Sequence, residues 1–257
     1  MEYPYRNIFD SHAHYEARQF NADRDEVLAR LPGQGVRYLL NAASDIETAL
    51  TGIALSEKYE FVYCSAGFHP HEAKKAREGY IERLRELLQK PKVQAVGEIG
   101  LDYHYDFSPR QVQLRVFEQQ LALAKEMDMP VIVHDRQAHQ PVFELLKKYQ
   151  PSGVVHCYSG SAEMAKALVK LGMYIGFTGV VTFKNASKVL EAARAVPAEK
   201  TLIETDCPYM APEPHRGRRC DSGLLRYTAE TLALQKGMRP QEFIDCTAQN
   251  AIDLYRI

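Results

Sequence analysis

The sequence contains few cysteines, and none of them stand in the CxxC pairs that zinc ribbons use. There are five cysteines in 257 residues, an odd number with no regular framework of spacings. An extracellular disulfide scaffold and a zinc ribbon are therefore both disfavoured. The same usage predicts a reducing compartment. We interpret Cys157 and Cys207, which neighbour candidate site residues, as small buried thiols.

Long hydrophobic runs are also missing. No apolar stretch approaches the roughly 20 residues that a membrane-spanning helix needs. The sequence begins Met-Glu-Tyr-Pro, without the basic segment and apolar core of a secretory signal. These absences predict a cytoplasmic protein with no membrane contact.

An excess of charge of one sign is the third absence. Lys and Arg total 32, Asp and Glu total 33, and the formal net charge is -1. A nearly neutral protein has no global positive field for a long nucleic acid, so any such binding must come from a local patch. The chain is 46% hydrophobic and 25% charged, which is typical of globular proteins. No linker divides it, so residues 1–257 are predicted to form a single domain.

Eight short β-branched runs alternate with helical patterns along the chain. This alternation predicts a parallel sheet, and eight such units in about 250 residues suit a closed (β/α)8 barrel of the TIM type. A doubly wound open sheet is the alternative, although it usually carries a Gly-rich phosphate loop after its first strand. The predicted strands cover residues 5–9, 36–42, 61–67, 93–100, 130–134, 153–157, 174–178 and 201–206. The predicted helices include residues 26–28, 46–59, 72–89, 109–125, 139–148, 162–171, 186–195, 224–236 and 241–254.

The first predicted strand leads into the motif Phe-Asp-Ser-His-Ala-His at residues 9–14. In an extended chain, side chains two apart point to the same face, so His12 and His14 would project together. Two such imidazoles can share one metal ion. Asp10 lies on the same face, where it could accept a ring N–H from a ligating histidine or support the site from behind.

Imidazoles and carboxylates recur where the later predicted strands end. Because the active sites of barrels lie at the carboxyl ends of the strands, these groups are expected to converge on one mouth. Unpaired carboxylates and imidazoles there would lose hydration, so the pattern predicts bound cations. With Glu98 shared, the set suits two divalent ions, Zn²⁺, Mn²⁺ or Mg²⁺, and hydrolysis of a phosphate or carbonyl centre. The residues are His12, His14, His69, Glu98, His134, His156, Glu204 and Asp206.

Six motifs in order resemble those of the TatD family, metal-dependent deoxyribonucleases of the amidohydrolase superfamily. The resemblance runs from Asp10 to Asn250 and therefore covers nearly the whole chain. It implies a (β/α)8-type barrel and 3′-to-5′ exonuclease activity on DNA. The motifs occupy residues 9–14, 67–71, 97–103, 131–134, 156–161 and 202–209.

The resemblance also implies a role for each residue of the constellation. His12, His14, Glu98 and Asp206 would hold one metal, and Glu98, His134 and His156 would hold the other. Asp206 would orient or deprotonate the attacking water. His69 would contact substrate rather than metal, and Glu204 would lie behind the ligands or contact substrate.

Substrate contacts are expected from loops after the strands. Basic side chains after strands five, seven and eight would form a local cationic rim that suits a few phosphates at a single-stranded end. The aromatic side chains after strand four could stack on unpaired bases or pack as a lid; they are Tyr103, His104, Tyr105 and Phe107. The rim comprises Arg136, Lys184, His215, Arg216, Arg218 and Arg219, of which we expect Arg136, Arg216 and Arg218 to bind substrate.

The sequence departs from the family pattern in the loops that are expected to bind substrate. Members often read Ser-Arg-Asp-Ala after the fifth-strand histidine, whereas this chain has Asp135 and Gln137 around Arg136. Members also often have Asn-Glu-Pro where residues 220–222 read Cys-Asp-Ser. These departures leave the metal chemistry intact but bear on the substrate.

Two other functions remain open from the sequence. One is hydrolysis of an ester or amide by the same metal pair, as in a D-aminoacyl-tRNA deacylase. The other is a non-catalytic metal-binding scaffold, which the complete ligand set and the presence of Asp206 disfavour. The sequence indicates no obligate protein partner.

Overall fold

The computed structural model describes residues 3–257, and these contain one sheet of eight parallel strands. Each strand pairs with the next one in the sequence, in the order β1 to β8. The predicted (β/α)8 barrel is therefore confirmed, and the open doubly wound sheet is wrong. The strands are β1 Ile8–Ala13, β2 Val36–Asn41, β3 Val62–Ala66, β4 Val93–Asp102, β5 Val131–Arg136, β6 Gly153–Val155, β7 Tyr174–Phe177 and β8 Thr201–Ile203.

Helices follow the strands and cover the outside of the barrel. A helix between successive parallel strands is the connection that such a sheet requires. They are α1 Arg24–Arg30, α2 Ile46–Lys58, α3 Tyr80–Leu88, α4 Arg110–Glu126, α5 His139–Tyr149, α6 Ala162–Lys170, α7 Ser187–Ala195, α8 Leu225–Lys236 and α9 Pro240–Tyr255. None of the helices within residues 3–257 combines the length and the apolarity needed to cross a membrane.

The inside of the barrel is filled by its own small cluster of side chains. Phe9, Leu40, Ile132 and Leu202 come from four different strands, yet they belong to one buried cluster. Strands spaced around a barrel can bring side chains together in this way only in its interior. Tyr255 of α9 joins the same cluster, so the last helix closes one end of the barrel.

The barrel closes at a seam between β8 and β1 that has few ladder hydrogen bonds. The N–H of Asp206 donates to the carbonyl of His12 at 2.9 Å, and the N–H of His14 donates to the carbonyl of Cys207 at 2.8 Å. The buried carboxylate of Asp10 strengthens the seam by accepting hydrogen bonds from the N–H and hydroxyl of Thr205 and from the hydroxyl of Ser222. Asp10 therefore supports the site from behind and accepts no ring N–H.

Element boundaries differ from those predicted in several places. Asn7 has a left-handed φ of 63°, so the first strand begins at Ile8 and contains the histidine motif rather than leading into it. The single helix predicted over residues 72–89 is wrong. A 3-10 helix, Pro70–Lys75, is separated from α3 by Gly79, whose φ of 83° ends any continuous helical path.

Candidate metal centre

His12 at the end of β1 and His14 just after it point to the same side, as predicted from their spacing. Their Nε2 atoms are 3.0 Å apart. Asp206 approaches the same two atoms from the far side of the seam, with Oδ1 at 3.4 Å from His14 Nε2 and 3.8 Å from His12 Nε2. Three donor atoms of types that bind metal ions therefore lie together at the carboxyl end of the barrel.

Glu98 lies at the centre of the site and presents its two oxygens to different histidines. Oε2 lies 3.3 Å from His12 Nε2 and 3.7 Å from His14 Nε2. Oε1 lies 2.7 Å from His156 Nε2 and 2.9 Å from His134 Nδ1. The two oxygens of Glu98 thus face different histidines, and His12 also groups with Glu98 and His156 as possible ligands of one ion.

The outer hydrogen bonds of two histidines determine which ring nitrogens can bind a cation. His14 Nδ1 faces the carbonyl of Ala42 at 2.9 Å, and His134 Nε2 faces a carboxylate oxygen of Asp102 at 3.1 Å. Both partners are acceptors, so those nitrogens carry the protons of the neutral rings. The remaining lone pairs, on His14 Nε2 and His134 Nδ1, face Glu98. A lone pair and a carboxylate repel one another unless a proton or a metal cation lies between them, so the geometry is compatible with bound metal.

His69 differs from these histidines because its lone pair points away from the centre. Its Nδ1 accepts the backbone N–H of His71 at 3.1 Å. The proton of the neutral ring is then on Nε2, which donates to Glu98 Oε1 at 3.3 Å. Burial lowers the pKa of His69 to about 4, so the ring is neutral. His69 is therefore suited to donating a hydrogen bond and not to binding a metal ion.

Carboxylates dominate the cavity that opens above these donors. Its volume is about 450 Å³. Among residues 3–257, Arg136 is the only arginine or lysine that lines it. Two divalent ions would offset most of the negative charge, which is a second sign that the site fits metal. The carboxylates are those of Glu16, Glu72, Glu98, Asp102, Asp135 and Asp206.

Asp102 is a site residue that the sequence analysis did not single out. It ends β4 and is 1% exposed. Its Oδ2 contacts both His134 Nε2 at 3.1 Å and His71 Nε2 at 2.8 Å. Burial raises the pKa of Asp102, but the hydrogen bonds from His134 and from the N–H of Tyr105 outweigh this and hold that pKa well below its ordinary value. The sequence offered one indication of this role, since the motif Gly-Glu-Ile-Gly-Leu-Asp carries a second carboxylate, Asp102, four residues after Glu98.

Glu204 lies behind the metal-facing histidines rather than in the cavity. It is fully buried, its Oε1 accepts the N–H of Cys157, and the same oxygen lies 3.7 Å from His156 Nδ1. Burial raises its pKa to about 7. Other residues cover Glu204 completely, which favours the prediction that it lies behind the ligands.

Of Tyr103 and the three arginines predicted to contact substrate, one lines the cavity. Arg136 lines the cavity, but Tyr103, Arg216 and Arg218 are not among the described residues that do so. Tyr103 packs under the guanidinium of Arg110 at 4.3 Å, and Arg216 stacks on Phe183 at 4.2 Å. Arg218 is an exposed loop residue.

The residues that depart from the family pattern lie in three different environments. Asp135 lines the cavity and pairs with His139 at 2.7 Å, so the unusual acid has a partner one helical turn away. Gln137 is exposed with φ of 54°. Cys220 and Ser222 are buried, and the hydroxyl of Ser222 bonds to Asp10 at the seam.

Comparison with known proteins gives a consistent result. The family model "TatD related DNase" matches residues 9–256. The uncharacterized metal-dependent hydrolase YabD of Bacillus subtilis is 40% identical over 253 residues, covering 97% of this chain and 99% of that protein. The 3′-5′ ssDNA/RNA exonuclease TatD of Salmonella typhimurium is 34% identical over 258 residues, with the same coverages of 97% and 99%.

A solved structure agrees with these relatives. The crystal structure of YJJV, a TatD homologue from Escherichia coli K12, superposes with a TM-score of 0.92 at 30% identity and covers 98% of each chain. The match includes the whole barrel and therefore the strand ends that carry the metal-binding donors. This chain belongs to the TatD family of metal-dependent hydrolases.

Proposed function

We propose that this protein is a 3′-to-5′ exonuclease that uses two divalent ions to release nucleotides from the ends of single-stranded DNA. The observation that carries the proposal is the position of Glu98, whose two oxygens face separate sets of histidines. A shared carboxylate of this kind suits a pair of ions acting on a phosphodiester. A relative is named as an exonuclease on single-stranded DNA and RNA, which supports the same reaction.

The ligands are proposed from the donor geometry. His12, His14, Asp206 and Glu98 would hold one ion, and Glu98, His134 and His156 would hold the other. When bound, the two ions lower the pKa of the attacking water and offset charge on the attacked phosphate. Zn²⁺, Mn²⁺ and Mg²⁺ are the candidate ions.

The protein's own side chains would move the proton and orient the reacting groups. An ionised Asp206 at the cavity wall can accept a proton from the water. His69 donates from Nε2 and would contact substrate or Glu98. Glu204 lies 3.7 Å from His156 Nδ1 and would help to position that ring from behind.

Arg136 would bind the phosphate of the substrate. It lines the cavity from the end of β5, and its guanidinium donates no hydrogen bond to another of residues 3–257. One cationic side chain beside the ions suits one or two phosphates at a chain end. A long duplex tract needs many more such contacts.

The test uses protein stripped of metal and then supplied with Mg²⁺, Mn²⁺ or Zn²⁺. A 5′-labelled single-stranded DNA reports the direction of degradation as a ladder that shortens from the 3′ end. Glu98→Gln keeps the volume of the side chain but loses its charge and one acceptor oxygen, so we expect loss of both metal binding and the ladder. Glu118→Gln removes an exposed carboxylate remote from the cavity and serves as the control.

Other outcomes would change the assignment. Intact DNA with all three metals, from protein shown to hold two ions, would favour the ester or amide hydrolase, tested with an aminoacyl-tRNA. A ladder that persists in Glu98→Gln would overturn the role of Glu98. The five free cysteines support the cytoplasm as the compartment of the reaction.

A further inference from the structure

Exposed aromatic side chains are concentrated at the mouth of the metal-binding cavity. Tyr105, Phe107 and Tyr209 are each more than half exposed, and all three line this cavity. Tyr105 and Phe107 stack on each other, with ring centroids 5.3 Å apart and an interplanar angle of 27°. Single exposed apolar residues are common, but three at one cavity indicate a binding surface.

The stacked pair is held in place by His71. The edge of its ring contacts Tyr105 with centroids 5.5 Å apart at 90°, and contacts Phe107 at 4.7 Å and 64°. The carbonyl of His71 also accepts a hydrogen bond from Ser108, the residue that follows the pair. These contacts favour one orientation of the two aromatic rings.

Asp102 connects this aromatic pair to the metal centre. Its Oδ1 accepts the backbone N–H groups of His104 and Tyr105 at 2.9 and 2.8 Å, and its Oδ2 accepts from His71 and from His134. One carboxylate thus positions both the loop of the aromatic pair and a proposed metal ligand. A group that stacks on the pair would be held at a defined distance from the proposed ions.

We propose that Tyr105 and Phe107 form a platform on which the terminal unpaired base of the substrate stacks, and that this platform determines the preference for single-stranded ends. The inference rests on the proposed nuclease function and specifies its substrate recognition. Aromatic rings accept the face of any base, so the platform would be tolerant of sequence. A base paired in a duplex cannot leave its neighbours to stack there without loss of pairing.

The kinetic test combines side-chain and substrate changes. Phe107→Ala should lower kcat/KM on single-stranded DNA by about 5- to 150-fold, the range that corresponds to base–aromatic stacking. The same variant should show little loss on an oligonucleotide whose 3′-terminal residue is abasic. Phe107→Tyr retains a ring and should recover most of the rate. Leu234→Ala, an exposed change on α8, is the control for folding.

A second test does not depend on nuclease activity. The chain contains no tryptophan, so Phe107→Trp introduces a unique fluorescent side chain at the platform. In metal-replenished protein, adenosine 5′-monophosphate should quench the introduced indole, whereas ribose 5-phosphate, which lacks the base, should not. An equal response to both compounds would overturn the platform.

The two tests separate failure of the platform from failure of the proposed function. If Phe107→Ala loses kcat/KM equally on normal and abasic 3′ ends, the platform proposal is overturned, whereas the exonuclease proposal is not. Base-dependent quenching in a protein that degrades no oligonucleotide would support the platform as a nucleotide site and overturn the exonuclease.

Discussion

At the scale of single residues, Asp102 has the largest predicted effect outside the metal ligands. It fixes the protonated nitrogen of His134, so that the opposite nitrogen keeps its lone pair toward Glu98. Removal of such a partner typically weakens metal binding 10- to 100-fold. We therefore expect Asp102→Asn to lower metal affinity by about that factor, measured by competition with a chelator.

The control for this prediction is on the same loop. Asp106 pairs with Arg110 and is exposed, so Asp106→Asn should leave metal affinity unchanged. Equal affinities for Asp102→Asn and the unmodified protein would show that His134 is held by other contacts.

Gly176 leaves space for the buried carboxylate of Glu204. A Cβ at this position would lie 2.5 to 2.8 Å from the carboxylate atoms, which cannot move aside because they are buried and bonded to the N–H of Cys157. We expect Gly176→Ala to lower the free energy of unfolding by about 1–3 kcal/mol, as overpacked cores do. Denaturant unfolding would measure this change. Gly33→Ala, where a Cβ meets nothing within 4 Å, should behave like the unmodified protein.

The residues of the candidate metal centre could be predicted from the sequence to lie together because strand spacing and topology determine their positions. His12 and His14 share a face by the alternation of a strand, and the carboxyl ends of parallel strands meet at one mouth. The contacts of Tyr103 and Arg216 could not be found in this way. Both lie in irregular loops, where side-chain direction depends on packing against Arg110 and Phe183.

At the scale of elements, helix α2 begins with a reciprocal pair of hydrogen bonds. The carboxylate of Asp45 accepts the N–H of Thr48 at 3.0 Å, and the Thr48 hydroxyl accepts the N–H of Asp45 at 2.8 Å. Loss of such a cap costs about 1 kcal/mol. Asp45→Ala should therefore lower the free energy of unfolding by about that amount at pH 7, measured with denaturant.

The effect of Asp45 should depend on pH. Burial raises the pKa of Asp45, but hydrogen bonds from Thr48 and Lys75 outweigh it and lower that pKa below 3.8. The folded state therefore binds the proton less readily than the unfolded state, and the stabilisation is complete above the unfolded pKa. It is lost as the pH falls through the folded pKa, so the difference from Asp45→Ala should shrink there. A constant difference at all pH values would contradict this cause.

Most strands and helices could be predicted from hydrophobic periodicity, whereas their ends depended on backbone conformations that composition does not reveal. The strand predicted over residues 153–157 stops at Val155, since Cys157 takes a left-handed φ of 44°. The strand predicted over residues 201–206 stops at Ile203, and Asp206 has φ of 55°. In both cases the strand ends early, and the irregular backbone that follows carries residues of the candidate metal centre.

At the scale of the whole molecule, metal binding should stabilise the fold. A ligand at 100 times its dissociation constant adds about 2.7 kcal/mol of stability, which corresponds to roughly 5–10 °C in Tm for a chain of this size. We expect an increase of this order when metal is restored to the stripped protein, measured by calorimetry. Glu98→Gln should show little of the increase, and an equal increase in that variant would place the stabilising ion elsewhere.

The seam between β8 and β1 has a consequence for biosynthesis. His12 and His14 are made at the start of translation, but Asp206 and the Thr205 and Ser222 partners of Asp10 emerge only when most of the chain is complete. A ribosome-bound chain that has not reached these residues cannot assemble the donor set of His12, His14 and Asp206. The candidate metal centre is therefore incomplete while the chain is being synthesised, and a prematurely terminated product would lack it.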